Sequence, residues 1–441
     1  MTLNRNSASE ILRNCISMLS PRAPIHAKIR AVRYINNNYY HPSGANTDKL
    51  FKGLIRCMKI SENGVQHEAV QAINKFACYP HYGGLQALTE CVKQCSGKTR
   101  NVAIQAIGNI AADCSLCRKQ VCRSPAVSVL VNLMSENPSM KQQSVQNLLR
   151  TLSVVFEDGT TVINSEVTSR AVHSLYPMLY SPSNTTRKLA ADCVSQVAFG
   201  RGNEAQARIS LFKTISFINL LLSVEGILPR LMELLDDPVA STSALFTVGR
   251  IVAGNDQQTQ HVIDAGVIPR LIDLHKKNPD DKSLRRDIGW ILSNLAAGNR
   301  EQIERLFSSK HTVPMILDLA KSKERSVRVE ACWAASNAFH RASPQRIVWL
   351  CKAILPAIRT ALDVDMGSAL RENALAAVRT ILTQNPNFLY LLYRMNVLKR
   401  VRVIYAREIS DNEIKGIAGN LVAAEDFMLS NNFLPSKFHF C

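Results

Sequence analysis

The sequence predicts an all-α solenoid, a stack of short helical repeats, and three observations carry that prediction. Apolar residues recur at three- and four-residue spacing along almost the whole of the 441 residues, and no segment sustains the period-2 alternation of a half-buried strand. The segment WILSN at Trp290–Asn294 returns as WAASN at Trp333–Asn337, 43 positions later, and a period of about 40–47 residues is that of stacked two- and three-helix repeats. A second phrase, GILPRLMEL at Gly226–Leu234, returns as GVIPRLIDL at Gly266–Leu274 and more loosely as TVPMILDL at Thr312–Leu319. In each copy Pro falls in the first turn of a helix, where its missing N–H leaves no bond unmade.

Bulk composition agrees. The chain is 46% hydrophobic and 20% charged, ordinary for a folded protein. A repeat array escapes the usual limit on domain size, because each unit packs only on its neighbours. The opening MTLNRNSASEILRNCISML has no apolar run long enough for a signal peptide. The longest apolar stretch, Ile209–Val224, contains Lys213 and falls short of the roughly 20 residues a membrane helix needs, so no membrane partner is expected. The 12 Cys then read as reduced thiols of the cytosol or nucleus. They cluster once, at Cys91, Cys95, Cys114, Cys117 and Cys122. One CxxC, Cys114–Cys117, stands there without a second at zinc-ribbon spacing, so unpaired thiols are expected and no metal. The net charge of +18 is concentrated towards the ends, with 14 Lys and Arg against 5 Asp and Glu in residues 1–100, and 20 against 13 in residues 300–441.

Taken in order, residues 1–8 read as a disordered start and residues 9–428 as one solenoid, beginning with a helical pair over Ser9–Asn37. Each repeat closes with a long, Ala-rich third helix. Aligning these helices on the Trp position gives Gln71, Gln105, Arg150, Val194, Phe246, Trp290, Trp333 and Ala376, at spacings of 34, 45, 44, 52, 44, 43 and 43. The short first interval implies a trimmed helix near Cys78–Leu88. The long fourth interval implies an apolar insertion at 205–224, either an extra hydrophobic helix packed on the solenoid or an untrimmed coding boundary. An early face spans residues 60–200 and a better-matched later face residues 225–340. Helices over 345–428 cap the array, which needs a polar outer face at its end, and 429–441 reads as a loose tail.

The later repeats resemble importin-α, the adaptor that binds nuclear localisation signals. The match rests on VGRIVAGNDQQTQHVIDAGVIPRLIDL at Val248–Leu274, on WILSNLAAGNREQIERLF and EACWAASNA beyond it, and on IQAIGNIAAD at Ile104–Asp113. It covers roughly residues 10–430 and is strong over 225–340. The resemblance implies a right-handed superhelix of about nine to ten armadillo repeats whose concave groove holds an extended basic peptide, in a major site on the early repeats and a minor site on the later ones. Carried over residue by residue, the minor site matches at Trp290, Asn294, Trp333 and Asn337, with Glu330 as its acid and Val252 and Thr259 in its pocket for a lysine or arginine. The major site is degenerate: only Asn109 and Asp113 remain, Lys75 and Val154 stand at Asn positions, Ala198 at a rung that is Tyr or Asn in the family, and Phe246 and Arg250 replace an Arg and an Asn in the fifth unit. The Arg/Lys-rich importin-β-binding segment of the family is expected to be absent, which puts importin-β and nuclear pore components in doubt as partners, while an export receptor at the C-terminal repeats is a further candidate partner.

The chemistry of such a ladder can be stated without the resemblance. An Asn carboxamide offers two donors and an acceptor, enough to match one peptide unit. Trp faces pack the aliphatic stems of Lys or Arg and attract the cation by ~0.5–2 kcal/mol each. Lys75 and Arg150 in the early groove would repel a basic peptide, which leaves an armadillo scaffold for an acidic protein or nucleic acid as the alternative function. No phosphate loop, GxSxG, HExxH or dinucleotide fingerprint occurs, so neither catalysis nor a cofactor is expected. The functional expectation is a nuclear-import adaptor-like receptor for nuclear-localisation-signal cargo, working in the cytoplasm and nucleus.

Overall fold

The computed structural model describes residues 5–38, 46–60, 62–75, 83–137, 139–159, 163–199, 218–407 and 412–430. Among these residues all regular structure is helical, as the period of the apolar residues requires. The chain divides into two compact units, one formed by Met1–Ile227 with Pro238–Ser243, the other by Leu228–Asp237 with Ala244–Cys441.

The first unit opens with a helical pair, Arg5–Met18 and Ile25–Asn37. Residues 5–8, expected to be disordered, therefore belong to the first helix. Its long third helices are Asn63–Lys75, Gly97–Asp113, Gln142–Gly159 and Asn184–Phe199, and each packs along the next. The trimmed helix expected near Cys78–Leu88 falls partly on 76–82, outside the described residues; from Gly84 the chain forms an 11-residue helix ending at Gln94. Most of the expected insertion at 205–224 also lies outside them, and of its end Ile218 and Leu221 are buried. The expected tail at 429–441 lies outside them from 431 onward, and the last helix runs Asn412–Ser430.

The second unit repeats a three-helix plan. Asp256–Asp264, Val267–Lys277 and Lys282–Ala296 form one repeat; Arg300–Leu306, Thr312–Ala320 and Arg325–Arg341 form the next; Pro344–Ala353, Leu355–Ala361 and Ser368–Gln384 form a third. The phrase GNDQQTQ has a structural explanation. Asn255 is the N-cap of its helix, its side chain accepting from the Gln258 amide at 2.9 Å, while Gln258 Oε1 accepts from the Asn255 amide at 3.1 Å. Asn299 and Gln302 make the same reciprocal pair at 3.1 and 3.0 Å, each satisfying two otherwise unbonded helix-end donors. Gly254 precedes the first box because a Cβ there would lie 1.9 Å from Gln258 Oε1. Gln302, fully buried, also donates to the Asp256 carbonyl at 2.6 Å and so stitches one repeat to the previous one.

Candidate functional site

In the Lys282–Ala296 helix, Ile288, Ile291, Leu292 and Leu295 are buried, and in Arg325–Arg341 Val327, Ala331, Cys332, Ala335 and Phe339 are buried. The opposite faces are only half-buried. They carry Asp287, Trp290 and Asn294 on one helix and Glu330, Trp333 and Asn337 on the other, at positions i, i+3 and i+7, which share one helical face. The two helices pack closely, aided by Gly289, where a Cβ would lie 2.9 Å from Glu330 Cβ. Asn337 Nδ2 donates to the Ser293 carbonyl at 3.0 Å, tying the second rung to the first helix. Asn294 Nδ2 donates to the Trp290 carbonyl at 2.8 Å, one turn back.

Of the expected later-groove residues, Trp290, Asn294, Glu330, Trp333 and Asn337 thus come together on adjacent third helices, and the structure adds three features that sequence reading missed. Asp287 stands 43 positions before Glu330, so the acid is repeated with the Trp and Asn; the same period that found the tryptophans would have found it. Asp287 pairs with Arg286 at 2.7 Å, and burial holds the Glu330 carboxyl above its ordinary range, opposed by Arg286 and reinforced by Asp287. Beyond Asn337, Asn373 Nδ2 donates to Asn337 Oδ1 at 2.8 Å, and His340 Nε2 lies 2.6 Å from Asn373 Oδ1. A polar line therefore continues past the last Trp, on a residue 43 positions after Glu330. The third feature is Arg250. Its guanidinium sits 5.0 Å from the Phe246 ring centroid and 5.5 Å from that of Trp290, so it lies against both rings, which are themselves 6.1 Å apart and tilted by 31°. Gly249 permits this approach, since a Cβ there would lie 2.3 Å from Trp290 Cζ3.

Val252 and Thr259 also meet, but inward. Both are buried, and Thr259 Oγ1 donates to the Val252 carbonyl at 3.0 Å.

In the first unit, Asn109 and Asp113 are exposed, four apart on Gly97–Asp113. Asn109 Nδ2 donates to Asn74 Oδ1 at 2.8 Å, and Asp113 Oδ2 accepts from Cys117 Sγ at 3.6 Å. Around them the ladder has been lost in two ways. Val194 and Ala198 are fully buried, so that face has become core. Lys75 and Arg150 are turned onto their own surroundings, Lys75 Nζ donating to the Asn36 carbonyl and Arg150 Nη1 to Asn147 Oδ1 at 3.5 Å.

With this geometry in view, the comparisons with known proteins are consistent. The Armadillo/beta-catenin-like repeat family matches residues 255–297, which is the capping box at Asn255 through the first Trp/Asn rung. Importin subunit alpha-1a of Oryza sativa subsp. japonica is 30% identical over 237 residues, a match covering 53% of this chain and 42% of the rice protein. Importin subunit alpha-1b of the same plant is 32% identical over 210 residues, covering 47% and 36%. The chain thus spans about two fifths of the length of these relatives. The crystal structure of an engineered protein superposes with a TM-score of 0.76 over 94% of this chain and 99% of its own, at 18% identity, a likeness of fold alone.

Fold and repeat together define an all-α armadillo-repeat protein. Within that class the chain is similar to importin alpha subunits, at about 30% identity over half of its length. None of its described helices is long and apolar enough to cross a membrane.

Proposed function

We propose that this chain binds extended basic peptides of the nuclear-localisation-signal type on the face carrying Trp290, Asn294, Trp333 and Asn337, as an import adaptor-like receptor of the cytoplasm and nucleus. The observation that carries the reading is the doubled acid–Trp–Asn triplet, Asp287–Trp290–Asn294 beside Glu330–Trp333–Asn337, on two packed helices joined by the Asn337–Ser293 bond. The pair of tryptophans supplies walls for the aliphatic stem of a Lys or Arg and π faces for its cation. The carboxamides serve the peptide backbone, and two carboxylates one turn before the rings favour positive heads over neutral ones. Both rice relatives are named as importin alpha subunits, which supports the same reading. Cargo proteins bearing basic signals are the partners it names first, and an importin-β-class carrier or an export receptor would act through other surfaces.

The test is a fluorescence-anisotropy titration of a labelled Lys/Arg-rich peptide against the wild type and against W290A, N294A, W333A and N337A. Loss of a central aromatic anchor is expected to weaken binding by about 2 kcal/mol, roughly thirtyfold. Equal affinity of the wild type and the W290A/W333A double variant would sink the proposal.

A further inference from the structure

The start of the Ser115–Arg123 helix carries chemistry that the peptide reading does not use. In the second unit, two first helices begin with an Asn at the N-cap and a Gln three residues on, Asn255 with Gln258 and Asn299 with Gln302, each pair turned towards the other. At the corresponding place the first unit has Cys114 at the N-cap and Cys117 three residues on. Capping geometry makes those two side chains converge. Here it brings two sulfurs to 2.8 Å, with the Cys117 amide donating to Cys114 Sγ at 3.2 Å. Asp113, the last residue of the preceding helix, completes the group, its Oδ2 lying 3.6 Å from Cys117 Sγ. One ligand atom from each of Asp113, Cys114 and Cys117 lies within 4.8 Å of the others.

We propose that Asp113, Cys114 and Cys117 form a binding site for a single thiophilic divalent cation of the Zn²⁺ class. Zn–S bonds of about 2.3 Å at tetrahedral angles place two sulfurs roughly 3.8 Å apart, so the pair need separate by only about 1 Å from its present spacing. Two thiolates with one carboxylate form a donor set for Zn²⁺, Cd²⁺ or Co²⁺, whereas Mg²⁺ and Ca²⁺ take oxygen ligands. Asp113 and Cys114 are exposed and Cys117 is buried. The cation therefore reaches the site from solvent, sits against one wall, and keeps a fourth position for water. Arg118, the nearest cationic side chain along this helix, is drawn off by Glu157 at 3.2 Å and the Ala111 carbonyl at 3.2 Å. The described thiols outside this cluster are buried, away from a cation arriving from solvent. The sequence concealed the site because its third ligand is the adjoining carboxylate rather than a second CxxC.

The experiment is a Co²⁺ titration of the full chain, held reduced with a phosphine, followed by displacement with Zn²⁺. A single equivalent of Co²⁺ is expected to raise thiolate-to-metal charge-transfer bands in the near ultraviolet and the visible bands of a four-coordinate ion, both abolished by stoichiometric Zn²⁺. The variants C114S and C117S should lose the charge-transfer bands. D113N should bind more weakly by more than the roughly 10–100-fold that loss of an outer-shell partner gives. Serine is itself a good N-cap, so C114S keeps the helix start, and far-ultraviolet circular dichroism checks that each variant is folded. Absence of bands in the folded wild type, or bands that persist in the C114S/C117S double variant, would overturn the proposal. Peptide affinity takes no part in the readout, so the site stands or falls apart from the groove.

Discussion

Arg250 lies over Trp290, its guanidinium 5.5 Å from the ring centroid, and also over the neighbouring Phe246 ring at 5.0 Å. The chain thus covers two aromatic faces with its own cation. An incoming Lys or Arg must displace that side chain and also approach its charge. The variant R250A should therefore bind a basic peptide more tightly, by roughly threefold to tenfold, the scale of one cation–π contact. Anisotropy titration checks this, and weaker binding by R250A would show that Arg250 helps rather than plugs.

Gly249 holds Trp290 in place by having no side chain. Adding a Cβ would press within 2.3 Å of Cζ3 and 2.8 Å of Cε3, so G249A should shift the ring and destabilise the fold by about 1–3 kcal/mol, as overpacking does. Gly416, with nothing within 4 Å of a built Cβ, is the control, where G416A should stabilise its helix by up to about 1 kcal/mol. Denaturant unfolding measures both, and tryptophan emission should move in G249A alone.

Glu330 is held above its ordinary carboxyl range, chiefly by burial. A raised folded-state value means that the folded chain keeps its proton longer than the unfolded chain. The associated stability is fully present below the unfolded value and is lost as pH rises from there through the folded value. E330Q should remove that dependence, so its stability relative to wild type should grow from pH 4 to neutrality. Peptide affinity should behave oppositely, because the ionised carboxylate is the attractive form. Wild-type binding should weaken as pH falls below neutrality, and E330Q should bind more weakly at neutral pH with a flatter profile. Parallel urea and peptide titrations across this range give the answer; a pH-independent difference between the two proteins would contradict it.

Gln302 closes a capping box and donates to the Asp256 carbonyl of the preceding repeat. Q302A removes both and takes the partner from the Asn299 amide and the Asp256 carbonyl, which should cost about 2 kcal/mol. Because stability in such arrays is local, hydrogen exchange should quicken most in Asp256–Asp264 and Arg300–Leu306. Uniform acceleration across the chain would argue against a stitch between repeats.

How much of this was readable beforehand can be followed residue by residue. Trp290 and Asn294 share a face because they are four apart on a helix, and so do Trp333 and Asn337; that relation is local and needs no tertiary information. The third helices carrying Gln71 through Ala376 all formed, because apolar periodicity specifies both the helix and its buried side. Asp287 was equally legible, one period before Glu330. The helical start at Arg5 was missed for want of a strong apolar pattern in the first turn. Val194 and Ala198 looked like lost ligands, whereas their full burial shows a face turned into core.

The sequence by itself determined the repeat, the helix that carries each rung, and the acid–Trp–Asn order along it, since all three follow from spacing within single helices. The tertiary structure decided what those residues face. Arg250 reaches the Trp290 ring because Gly249 lets one helix approach the ring on the next, Val252 and Thr259 turn inward, and Asp113, Cys114 and Cys117 converge through a capping geometry that composition does not reveal. Each depends on distances between side chains on different helices or across a turn, and these are set by packing.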